Sequence, residues 1–201
     1  GYGTFNETNP SGQVIGSFSG GENLLQSTVS KSINSHWRVA ARGILGVRNL
    51  DRETAGWVLV AKTRTAAQNL SEQLMPHGSC VKTYQAICRG RLPQRLLIQL
   101  PLTSKPSSTH VDFLHTGFLN GQEASWASIH IHSGRTHQIR RHLAGCGHPI
   151  LGDERYGGGS GSLLLVCTRL DYIDPTTGER RTAQAPLPKR FRRIPWVRLN
   201  S

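Results

Sequence analysis

The sequence predicts an α+β domain built on a mixed, largely antiparallel sheet with flanking helices. Three observations carry that prediction. Short apolar or alternating runs of strand length recur at 57–61, 81–88, 129–131 and 163–167. Helical spacing is confined to a few brief stretches. Gly (22) and Pro (10) are plentiful among the 201 residues, and they supply the turns a strand-rich chain needs.

Taken in order, residues 1–21 are polar and Gly/Ser-rich and read as a flexible arm before a single domain over 22–201. Leu25, Val29 and Ile33 recur every four residues, so a helix is expected over 22–34. Residues 35–49 carry Arg38, Arg42 and Arg48 without a clear period. Trp57–Ala61 is a continuous apolar run and predicts a buried strand. Thr65 is expected to cap a helix on which Ala66, Leu70 and Leu74 share a face, and Pro76 and Gly78 stop it. Val81–Cys88 alternates as a strand does, and 101–110 is a Pro/Ser loop. Ile129 and Ile131 alternate with His130 and His132 in a further strand. Thr136 is expected to cap the next helix, with Ile139 and Leu143 facing the core and Gly145, Gly147 and Pro149 ending it. GGGSGS at 157–162 reads as flexible, although too little chain follows it for a typical second domain. Leu163–Cys167 is a buried strand, and Asp174–Gly178 is a turn between strands.

Charge narrows the function. Lys and Arg number 24 against 12 Asp and Glu, a net +12. Such an excess suits a polyanion, because Lys and Arg release counterions from a phosphate backbone. There is no apolar run long enough to span a bilayer and no basic amphipathic helix, so no membrane role is expected. Cys80, Cys88, Cys146 and Cys167 form no CxxC and no zinc spacing, and read as free thiols of a reducing compartment. The chain opens at Gly1 without Met, which leaves room for a preceding targeting segment.

Few residues carry candidate chemistry. Asp51 stands among Arg48, Arg52 and Glu53, just before the strand at Trp57. Arg135 immediately precedes an expected helix N-terminus, where backbone N–H groups also favour anions. Tyr84 lies mid-strand. If Asp51 and Arg135 meet in a cleft, the guanidinium would hold the carboxyl below its usual value of about 3.9 and keep it ionised. Such a carboxylate can act as nucleophile or base. Spacing alone makes a weak case, because most Asp–Arg pairs are structural or solvated. His130 and His132 share a strand face, but no acidic ligand accompanies them and His137 and His142 are five apart, so no metal site is expected.

Five segments together resemble the RluA/RsuA-type RNA pseudouridine synthases over roughly residues 8–188: TNPSG at 8–12, LDRETAGWVLVAKT at 50–63, VKTYQAICRG at 81–90, GRTHQIRRHLAGCGHPILGDERYG at 134–157, and LLLVCTRLDYIDPTTGERRTAQAPLP at 163–188. The resemblance implies the pseudouridine synthase fold with a central RNA-binding cleft. It implies a catalytic trio of Asp51, Tyr84 and Arg135, with Asp51 acting at the ribose, Tyr84 packing against the flipped uracil and Arg135 orienting Asp51. It implies RNA contacts from Arg48, Asn49, Arg52, Lys82, His137, Gln138, Arg140 and Arg141, and no cofactor. Three departures stand out. Asn49 replaces the arginine that precedes Leu-Asp in the family, Asn9 replaces the lysine of its opening segment, and Leu165-Val166-Cys167 replaces its Leu-His-Ala. Two readings follow: a divergent synthase, or a synthase fold retained as an RNA-binding ribosome assembly factor. Ribosomal RNA is the expected partner, transfer RNA the second, with a ribosomal or pre-ribosomal particle as context and the mitochondrion, rather than the cytoplasm, as compartment.

Overall fold

The computed structural model describes residues 4–8, 14–19, 37–39, 54–59, 61, 63–75, 77–184, 186–192, 194 and 197–198. The helix expected over 22–34 lies outside the described residues, as do Arg48, Asn49, Asp51 and Arg52. β1 (Thr4–Thr8) and β2 (Val14–Ser19) pair antiparallel where the sequence suggests only a polar arm. Phe5, Val14, Ile15 and Phe18 are the strand-favouring residues there, and the Gly and Ser around them mask the alternation.

Nine further strands form one sheet. They are β3 (Trp37–Val39), β4 (Ala55–Val58), β5 (Val81–Arg89), β6 (Arg95–Ile98), β7 (Thr109–Leu119), β8 (Gln122–Ile131), β9 (Leu165–Ile173), β10 (Arg180–Gln184) and β11 (Val197–Arg198). Their order is β11-β7-β8-β5-β9-β4-β3, with β6 also paired to β7 and β10 to β9. Among the described strands only the β3–β4 and β4–β9 pairs are parallel, so the sheet is mixed and largely antiparallel, as expected. The core lies under the β7-β8-β5-β9 centre, where Val111, Ala127, Ile129, Ile131, Ala86 and Val166 are buried with Ile139 and Leu143 of the second helix.

Helix α1 (Arg64–Gln73) is capped by Thr63 rather than Thr65: extended Thr63 accepts a hydrogen bond from the Ala66 N–H at 3.1 Å. Thr65 already sits inside the first turn, where its hydroxyl cannot reach back to a free N–H. Leu70 packs with Ala61, Cys80 and Tyr172. The Gln73 carboxamide then acts as a strand fragment, donating to Ile173 O at 2.7 Å and accepting from Ile173 N at 2.8 Å. That fastens the end of α1 to β9.

Helix α2 (Gln138–Gly145) starts differently from expectation. Thr136 does not cap it; the cap position is His137, in left-handed conformation (φ 53°, ψ 31°) and without a side-chain cap bond. His142 anchors its inner face, 1% exposed. Its Nε2 donates to Leu100 O at 3.0 Å, so Nδ1 is left to accept from the Thr109 hydroxyl at 2.8 Å. Burial pushes this imidazole below the usual histidine range, and Arg141 adds to that against the opposing Leu100 bond. A folded-state value below the unfolded one means stability is full above the unfolded value of about 6.5 and is lost as pH falls through the folded value. Wild type is therefore expected to lose urea resistance between pH 7.5 and 5 more steeply than His142→Asn. Equal slopes for the two proteins would exclude this role.

The turn after α2 is packed, not loose. Gly158 N–H donates to Asp153 O at 2.7 Å and Gly152 N–H to Gly158 O at 3.0 Å. A Cβ on Gly158 would collide with the Ile150 carbonyl, so this second residue of GGGSGS is glycine for close backbone approach.

Candidate active site

Strand alternation puts Lys82 and Tyr84 on one face of β5, with Val81 and Thr83 on the other. Tyr84 lies opposite Ile129 of β8 and opposite Cys167 of β9. The Cys167 thiol donates to Arg169 O at 3.8 Å. Burial pushes the Cys167 thiol up to about 12, so it stays neutral beside the tyrosine. On its other side Cys167 pairs with Gly56 of β4. Gly56 has φ 116°, and a Cβ there would run into the Cys167 backbone. Glycine thus lets β4, which directly follows the LDRET segment, close against the strand pair that carries Tyr84. Thr54 is buried at the start of this connection.

The loop between β8 and α2 brings in Arg135. A Cβ on Gly134 would lie 3.0 Å from Lys82 Nζ, so this loop rests on Lys82. Lys82 is half-buried; desolvation pushes its ammonium below the ordinary lysine range, against the opposing effect of the Cys80 and Cys167 thiols. Arg135 is half-buried too, and its buried Nε has no hydrogen-bond partner among the described residues. A buried guanidinium N–H left over in a cleft is a donor for an anion, and the best acceptor is a carboxylate or phosphate.

Two expected RNA contacts sit elsewhere than foreseen. Gln138, 3% exposed, builds the Arg135 loop: its Oε1 accepts from Ser133 Oγ at 2.9 Å and from Arg135 N at 3.1 Å. Its Nε2 donates to Ser108 O at 2.9 Å and Thr109 Oγ1 at 3.2 Å. Arg140, 2% exposed, pairs with fully buried Asp153, Nε to Oδ2 at 2.8 Å and Nη2 to Oδ1 at 2.7 Å. Both residues point inward because α2 is covered on that side by β7 and by the 150–158 turn. Gln138 thus holds the Arg135 loop and Arg140 the 150–158 turn, whereas His137 and Arg141 are only partly buried. The parts played by Cys167, Asp153 and Tyr156 are not legible in the sequence; each depends on a partner far along the chain, and no local spacing signals it. All four cysteines are free thiols.

Comparison with known proteins identifies the family. The profile of the RNA pseudouridylate synthase family matches residues 25–145, more than half of the chain. The chain is 34% identical over 188 residues to the ribosomal large subunit pseudouridine synthase C of Salmonella typhi, covering 78% of this chain and 56% of that protein. It is 32% identical over 179 residues to the uncharacterized RNA pseudouridine synthase YhcT of Bacillus subtilis (strain 168), covering 80% and 59%. The chain thus spans less than two thirds of the length of these relatives. The solved structure of human RNA pseudouridylate synthase domain containing 1 superposes with a TM-score of 0.60 at 25% identity, over 77% of this chain and 75% of that one. With the sheet order, the Tyr84 strand and the Arg135 loop in place, the chain belongs to the RluA-type RNA pseudouridylate synthase family.

Proposed function

We propose that this protein isomerises uridine to pseudouridine in structured RNA, with ribosomal RNA as the first substrate class and transfer RNA as the second. The observation that carries the reading is the convergence of β5 and the Arg135 loop: Tyr84 and Lys82 share a strand face, Lys82 meets the loop at Gly134, and Arg135 keeps a buried donor free of any described partner. A uridine flipped out of its stack costs a few kcal/mol of unstacking, which a cleft with a stacking ring and cations offsets. Tyr84 supplies the ring, Asp51 acts at the ribose, and Arg135 orients Asp51. The C1′–N1 bond breaks and a C1′–C5 bond forms; the proton lost from C5 is balanced by one gained at N1. No oxidant, reductant or cofactor enters that balance.

The net +12 charge supports an RNA partner, and a ribosomal or pre-ribosomal particle is the proposed context. The mitochondrion is the proposed compartment, with the cytoplasm as the alternative that localisation of the full-length protein would reveal. The test is pseudouridine mapping of RNA from cells with and without the protein. Loss of a discrete site, in ribosomal RNA first, is the expected result. An unchanged map with defective ribosome assembly would instead assign the protein a binding role only.

A further inference from the structure

His137 has a left-handed backbone that a residue with a β-carbon adopts only when its surroundings hold it there. No side-chain cap bond does so. Tyr156 contacts it instead: His137 Nδ1 and Tyr156 Oη are 3.1 Å apart, and the rings meet edge-on with centroids 5.7 Å apart. Tyr156 is itself fixed. Its backbone N–H donates to Asp153 Oδ1 at 3.1 Å, and the Arg140 guanidinium lies 5.3 Å from its ring centroid. Arg140 and Asp153 are locked to each other and withdrawn from solvent. An unbroken run of contacts therefore leads from a buried ion pair through Tyr156 to His137, two residues beyond Arg135. The Arg135 loop is pinned from one side by Gln138 and Lys82. Tyr156 pins it from the other.

We propose that Tyr156 is a positioning residue: its hydroxyl and ring hold His137 in the left-handed conformation and so set the direction in which Arg135 enters the cleft. The activity arm of the test rests on the pseudouridine synthase reading; the spectroscopic arm does not. Tyr156→Phe keeps the ring on Arg140 and removes only the hydroxyl. It is expected to lower kcat for pseudouridine formation roughly ten- to a hundredfold, the scale of an ångström-level misplacement. RNA affinity should stay within about twofold and Tm within about 2 °C, since neither the basic surface nor the core is touched. In His137→Gly, which adopts positive φ without help, adding Tyr156→Phe should change kcat no further. The His137 ring nitrogen resonances should shift on Tyr156→Phe in the full-length protein. Unchanged kcat in an active enzyme, or additive losses in the double variant, would overturn the proposal. So would unmoved His137 resonances, whether or not the wild type makes pseudouridine. A wild type without activity whose His137 resonances do shift would sink the synthase reading and leave the positioning role standing.

Discussion

Replacing Asp51 with asparagine should cut pseudouridine formation at least ~10³-fold while leaving the fold and RNA binding in place, the scale lost when a nucleophile or positioned base is removed. Asparagine matches aspartate in volume and keeps one acceptor oxygen, so the proposed pairing with Arg135 would retain a hydrogen bond. It lacks the negative charge that any attack or proton abstraction at the ribose requires. On the proposed function, affinity for RNA comes chiefly from phosphate contacts by a chain of net +12 charge, and removing a negative charge should not weaken it. The measurement is single-turnover pseudouridine formation on a candidate RNA, with a parallel binding titration. A variant that retains more than a tenth of wild-type rate would remove Asp51 from the centre of the mechanism. Wild type without turnover, but with Asp51→Asn binding RNA equally well, would favour the assembly-factor reading that Asn49 raises.

What the sequence made legible was what depends on neighbours in the chain. β5 and the end of β8 follow from period-two alternation, and α2 shows itself through Ile139 and Leu143, four residues apart and both buried. β7 escaped notice because a bulge between Phe113 and His115 breaks its alternation midway. β4 runs from Ala55 to Val58, two residues earlier than its apolar run suggests, because pairing of Ala55 and Gly56 with β9 rather than hydropathy decides where it begins. The same logic divides the site. Tyr84 and Arg135 could be picked out by motif. The burial of Gln138 and Arg140 could not, since an arginine in a basic helix looks solvated until the one acidic group that removes it from water, thirteen residues on, is in place.

That pair yields the largest stability effect to be expected in the molecule. Arg140 and Asp153 make two parallel hydrogen bonds at 2.7 and 2.8 Å with almost no exposure. Arg140→Ala would leave a carboxylate at 0% exposure with the Tyr156 N–H as its remaining described donor. Stranding one partner of a buried pair costs about 3–5 kcal/mol, much of it the desolvation of the charge left behind. For a domain near 200 residues this is a fall in Tm of roughly 6–20 °C. Asp153→Asn should cost a similar amount, because it strands the guanidinium instead. Arg140→Lys should not rescue, since one ammonium cannot reproduce the parallel fork. The informative variant is Arg140→Met with Asp153→Leu, in which no charge is buried; most of the lost stability should return, as apolar replacements of buried pairs are often neutral. Yet the double variant should stay poorly active, because Tyr156 loses the cation beneath its ring and the carboxylate that holds its N–H. Denaturant unfolding and turnover measured on the same four proteins separate the two effects. Single variants within about 1 kcal/mol of wild type would show the pair to be far better hydrated than its burial implies.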